Sequence, residues 1–174
     1  MFDVLALACL AIAVLLLIAL SVIDLKHWIL PDELNLALGI TGILFHFFAT
    51  YRFFGIEQIL MGAAAGAGLL YAIRFVANRY YGRDTLGLGD VKLLGAAGLW
   101  LGLDGTLQAI TIGAFAGMLH GLAYAAYLAI KTKTKPNLSG LSIPAGPGFA
   151  VGIVAAGFIL FHQYALDVMH DLFT

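Results

Sequence analysis

The sequence predicts an all-α, polytopic membrane protein with six transmembrane helices and both termini extracytoplasmic. Three observations lead there. The 174 residues are 62% hydrophobic and only 11% charged, against about 25% charged in soluble domains. Mean hydropathy is +0.99, and the apolar residues gather into runs that approach the ~20 residues a helix needs to cross hydrocarbon. Finally, lysine and arginine fall almost wholly in alternate connecting loops.

The runs are residues 4–23, 34–50, 59–76, 91–103, 107–130 and 149–166. The first is too long for a signal-peptide core, lacks a basic leader and has Asp3 where positive charge would stand, so it reads as a retained helix. The fourth is short, which predicts tilting, fusion with a neighbour or adjacent non-helical backbone buried in protein. Six helices use nearly the whole chain, so residues 1–174 form one domain. Gly62 and Gly66, and Gly113, Gly117 and Gly121, have the spacing that lets helices approach closely in lipid. Packing within the chain is the favoured reading, and a homodimer through these faces the other.

Counting cations orients the chain. Lys26, Arg79, Arg83, Lys92, Lys131, Lys133 and Lys135 fall in the first, third and fifth loops, against Arg52 alone in the second and none in the fourth. The odd-numbered loops are therefore expected in the cytoplasm. With a net charge of −1 and no basic face, the sequence offers nothing for nucleic acid. Cys9 is the single cysteine and completes no CxxC site.

Charges this scarce point to function where they occur near a membrane. Asp24 opens Asp24-Leu25-Lys26-His27-Trp28-Ile29-Leu30-Pro31-Asp32, just after the first run. Asp90 ends Gly87-Leu88-Gly89-Asp90, just before the fourth, and Lys92 follows. The charge count puts both aspartates on the cytoplasmic side. Two neighbouring carboxylates share a proton, because both cannot readily ionise; one then accepts a proton from water while the other polarises a carbonyl. Asp24 and Asp90 are therefore the candidate catalytic pair. Helix dipoles predict an asymmetry: Asp90 at a helix start favours the anion, and Asp24 at a helix end favours the neutral acid.

Gly87 and Gly89 remove side chains where an extended peptide would lie against the backbone. With Lys92, they are assigned to substrate binding. Pro31 and Asp32 are read as structural support at the start of the second helix. Pro144, Gly146 and Pro147, in Pro144-Ala145-Gly146-Pro147-Gly148, interrupt regular structure before the last helix.

Together these motifs resemble the type IV prepilin peptidases, aspartyl proteases of the Gly-x-Gly-Asp class. Asp24 through Pro31-Asp32 matches the family's first aspartate motif, Gly87 through Lys92 its second, and the glycine- and proline-rich stretch its approach to the last helix. The resemblance implies a multi-pass protein of the inner (cytoplasmic) membrane. Its active site faces the cytoplasm and cleaves the short basic leader from prepilin-like, single-helix proteins. It implies no cofactor or metal, and lipids as the other partners. Many family members carry paired CxxC motifs in a segment that methylates the product. With Cys9 alone, the sequence resembles peptidase-only members, and no methylation is assigned.

The rival reading is a proton- or cation-coupled transporter, since paired carboxylates also bind ions. Against it, the aspartates sit at helix ends and no inverted repeat is evident. His27, three residues after Asp24, lacks companions at ligand spacing, and Trp28 suits an interfacial belt. Arg74 is expected to snorkel to the cytoplasmic surface. The run Lys131-Thr132-Lys133-Thr134-Lys135 is read as a topology anchor against anionic lipid.

Overall fold

The computed structural model describes residues 2–132 and 144–173. Lys133, Lys135 and the residues up to 143 lie outside them. Five helices occupy the described residues: α1 Phe2–His27, α2 Asp32–Phe48, α3 Ile56–Tyr81, α4 Leu88–Thr132 and α5 Gly146–Phe173. Four stretches are long and apolar enough to cross a membrane, Phe2–His27, Ile56–Tyr81, Leu88–Lys131 and Gly146–Leu172. The chain is thus all-α and multi-pass, but the expected six spans are corrected to four. Four spans, like six, leave both termini on one side, and Tyr164 of α5 bonds Asp3 near the start of α1 at the end of the bundle away from Asp24.

The reason lies in α2 and α4. α2 has 17 residues and rises only about 26 Å, short of the ~30 Å hydrocarbon thickness. The two expected spans 91–103 and 107–130 belong to one element, α4, which is broken at Gly102 with φ 62° and ψ −170°. This left-handed φ is one glycine adopts readily. Beyond the break the chain doubles back, so that Gly66 of α3 lies against both Leu94 and Thr106. The limb before the break, residues 88–101, rises only about 21 Å.

Two side chains brace the break. Trp100 donates its indole N–H to the Leu38 carbonyl at 2.7 Å. His46 donates Nε2–H to the Trp100 carbonyl at 3.0 Å. The second bond occupies a carbonyl where the interrupted helix has the least internal satisfaction. Phe45, fully buried, stacks on Trp100 and meets Phe161 edge-on, tying α2, α4 and α5 into one core.

Small residues set the remaining contacts. Gly62 packs against Gly98 and Gly102, and Gly113 against Gly148 and Phe149. These glycines serve close helix approach within the chain. α1 and α5 run antiparallel and are pinned at both ends, by Tyr164 Oη donating to Asp3 Oδ1 and by Gly146 N–H donating to Asp24 Oδ2, each at 2.9 Å.

Candidate active site

The Asp24 end of that pair opens into a cleft of about 710 Å³ lined by Asp24 and Trp28 of the α1 end, Arg74 of α3, residues 83–88, Asp90 of α4, and Pro144 and Ala145 before α5. Asp24 and Asp90 come from separate helices yet line this one space, close enough to interact through their charges. They are 6% and 7% exposed, so their carboxyl groups are largely shielded from solvent while facing a common cleft.

Local structure explains each position. α1 carries Asp24 in its last turn, and its carbonyl still accepts the Trp28 N–H at 2.9 Å. Trp28 then takes a left-handed φ of 60°, which turns the chain out of the helix. Pro31, with φ −59°, precedes α2. Its fixed geometry suits a helix start, and its missing N–H costs nothing there. Asp90 is the third residue of α4, so it lies inside the first turn of the helix at whose start the sequence places it. From there its carboxyl reaches back toward the Gly87 N–H.

The dipole asymmetry expected between the aspartates is not seen. Asp24 does sit at the C-terminal end of α1, but the fold also lays the N-terminus of α5 on it through Gly146. Each carboxyl therefore faces a helix N-terminus. What differs is hydrogen bonding: Asp24 Oδ2 holds the Gly146 N–H, whereas the buried Asp90 Oδ1 has no partner among the described residues.

The remaining sequence candidates divide into four groups. Gly87 lines the cleft, as does Pro144. Gly89 instead packs on Leu30, where a Cβ would come within 2.8 Å of the Leu30 Cβ. Lys92 and Asp32 bond each other, Nζ lying 2.7 Å and 2.6 Å from the two carboxylate oxygens, and so join the start of α2 to α4. Gly146 and Pro147 begin α5, and a Cβ on Gly146 would sit 2.6 Å from Asp24 Oδ2.

Sequence reasoning missed a polar cluster beside Asp90. Arg74 reaches along α3 to the segment that follows it; its side chain is 17% exposed and bonds the exposed Asp84 at 2.8 Å and the Leu86 carbonyl. Asn78 donates to Asp84 at 2.8 Å and accepts from the backbone N–H and hydroxyl of Thr85 at 2.8 Å and 2.9 Å. The available signal was the i, i+4 spacing of Arg74 and Asn78, which puts both on one helix face.

A sequence profile described as the type IV leader peptidase family matches residues 11–122. The chain is 34% identical over 144 residues to the prepilin leader peptidase/N-methyltransferase of Pectobacterium carotovorum subsp. carotovorum, covering 83% of this chain and 50% of that protein. Proteins of the same name are 33% identical over 148 residues in Xanthomonas campestris pv. campestris, covering 83% and 46%, and in Escherichia coli K12, covering 84% and 61%. The chain spans about half the length of the first two relatives. No solved structure matches it. With a profile match across more than half of its residues, the chain belongs to the type IV leader peptidase family.

Proposed function

We propose that the chain is a membrane-embedded aspartyl endopeptidase that removes the leader from prepilin-like proteins. The observation that carries this reading is the meeting of Asp24 and Asp90, from separate helices, in one cleft at the helix ends. The names of the relatives support prepilin as the substrate class. The cation-rich loops support a cleft that faces the cytoplasm from the inner membrane. Within these 174 residues Cys9 is the single cysteine, so the assignment is limited to hydrolysis.

In the mechanism, a water lies between the carboxyl groups. Asp24, its Oδ2 held by the Gly146 N–H, takes a proton from that water as the water oxygen attacks the scissile carbonyl carbon. Asp90 carries the shared proton on Oδ1, the oxygen without a protein partner, and gives it to the carbonyl oxygen. The tetrahedral intermediate collapses as one of its hydroxyls returns a proton to Asp90, the C–N bond breaks, and the departing nitrogen takes the proton held by Asp24, which restores both carboxyl groups. Gly87 leaves backbone open for an extended substrate strand.

Co-expression of a prepilin with wild type, Asp24→Asn or Asp90→Asn tests this reading. Both variants keep the side-chain shape and lose the ionisable group. The expected result is accumulation of uncleaved prepilin with normal membrane insertion of each variant. Wild-type cleavage by either would sink the two-aspartate mechanism and bring the ion-transport alternative forward.

A further inference from the structure

We propose that Arg74 is a positioning residue for the Asp90 carboxyl, acting through the segment that leads into α4. The inference rests on the two-aspartate reading and assigns it an additional residue. Arg74 belongs to a membrane-spanning helix, Ile56–Tyr81, and lies about 10 Å along it from the α3 end. A cation at that depth is costly unless it is paired and fully used. This one is engaged on two sides, by the Asp84 carboxylate and by the Leu86 carbonyl.

The geometry shows what those bonds hold. Three consecutive residues are clipped to one face of α3: Asp84 by Arg74 and Asn78, Thr85 by Asn78, and Leu86 by Arg74. Gly87 comes next, and its N–H faces the Asp90 carboxyl. The clamp therefore ends one residue short of the N–H that faces Asp90, and Arg74 itself lines the same cleft. A planar guanidinium suits this task because its fork grips a carboxylate and a carbonyl in fixed relative positions. A lysine ammonium is a point charge on a flexible stem and cannot. Loosening the clamp lets Gly87 and Asp90 drift, and misplacement of a catalytic group by about 1 Å can cost on the order of a hundredfold in rate.

The test is steady-state cleavage of a prepilin by purified, detergent-solubilised Arg74→Lys, Arg74→Gln and Asp84→Asn, each with its thermal midpoint. Asp24→Asn is run alongside. Arg74→Lys and Arg74→Gln are expected to lower kcat at least tenfold with KM within threefold of wild type and midpoints within a few degrees. Asp84→Asn keeps an acceptor oxygen on an exposed side chain, and is expected to lose less. The double variant Arg74→Gln/Asp84→Asn should be no worse than Arg74→Gln alone, because both act through one clamp. Wild-type kcat in Arg74→Lys would overturn the inference while inactivity of Asp24→Asn left the protease reading standing. A fall in kcat matched by a collapse of the midpoint, in Arg74→Lys and Asp84→Asn alike, would show general structural support and also overturn it. Full activity of Asp24→Asn would overturn the protease reading itself.

Discussion

At the scale of single residues, the site depends on what is missing from the backbone as much as on the two aspartates. Gly146 can donate its N–H to Asp24 because it has no Cβ; one would sit 2.6 Å from the carboxylate oxygen. Gly146→Ala is therefore expected to push Asp24 away and lower the cleavage rate tenfold or more, with unchanged membrane insertion. Initial rates on a co-reconstituted prepilin would show this, and a wild-type rate would contradict it. Trp28 presents the opposite case, a bulky residue in left-handed backbone. That conformation costs an L-residue roughly 1–2 kcal/mol, and the residue is 55% exposed, so little packing offsets the strain. Trp28→Gly is expected to raise the thermal midpoint in detergent, whereas a lower midpoint would mean that the indole stabilises the fold more than its backbone strains it. The aspartates were legible in the sequence because their chemistry is a property of residue type. The Gly146 contact was not, since its partner lies 122 positions away in the chain.

At the scale of elements, the informative case is α4. Hydropathy finds both of its limbs and a loop between them within Gly102-Leu103-Asp104-Gly105-Thr106, but not what holds the chain there. The reversal depends on one glycine torsion and on side chains from α2, which hydropathy does not record. The same blindness applies to 34–50: its apolar character was legible, but its ends were set by Pro31 and by the turn after Phe48, leaving a helix too short to span. If Gly102 and His46 make the break, altering either should destabilise the fold. Gly102→Ala places a Cβ about 3.2 Å from the Phe54 ring in a residue whose φ 62° and ψ −170° are nearly confined to glycine, at a cost of roughly 1–3 kcal/mol from the backbone alone. His46→Ala leaves the Trp100 carbonyl without its donor in the core, worth about 1–3 kcal/mol. Thermal or denaturant midpoints in one detergent would measure both, and a neutral His46→Ala would show that the carbonyl finds another donor.

At the scale of the whole molecule, the fold works as a frame that closes one end and opens the other. Tyr164, Asp3 and the nearby Arg52 guanidinium join α1 to α5 at the end away from the aspartates. Asp24 and Gly146 join the same helices beside the cleft. Fixing both ends limits how far α1 and α5 can splay, so access to the aspartates is left to the connecting segments, residues 28–31, 82–87 and 144–145. These segments also hold Arg83, one of the cations from which the sequence placed this side in the cytoplasm. Charge and site geometry therefore make a joint prediction: the open end and the cation-rich end are the same membrane face. A cysteine at the cleft rim tests it. In a Cys9→Ala, Arg83→Cys variant, a membrane-impermeant maleimide should label inside-out vesicles and leave intact spheroplasts unlabelled, and a peptide spanning the prepilin cleavage site should slow the reaction. Labelling in spheroplasts alone would put the cleft outside, where a leader retained in the cytoplasm could not reach Asp24 and Asp90.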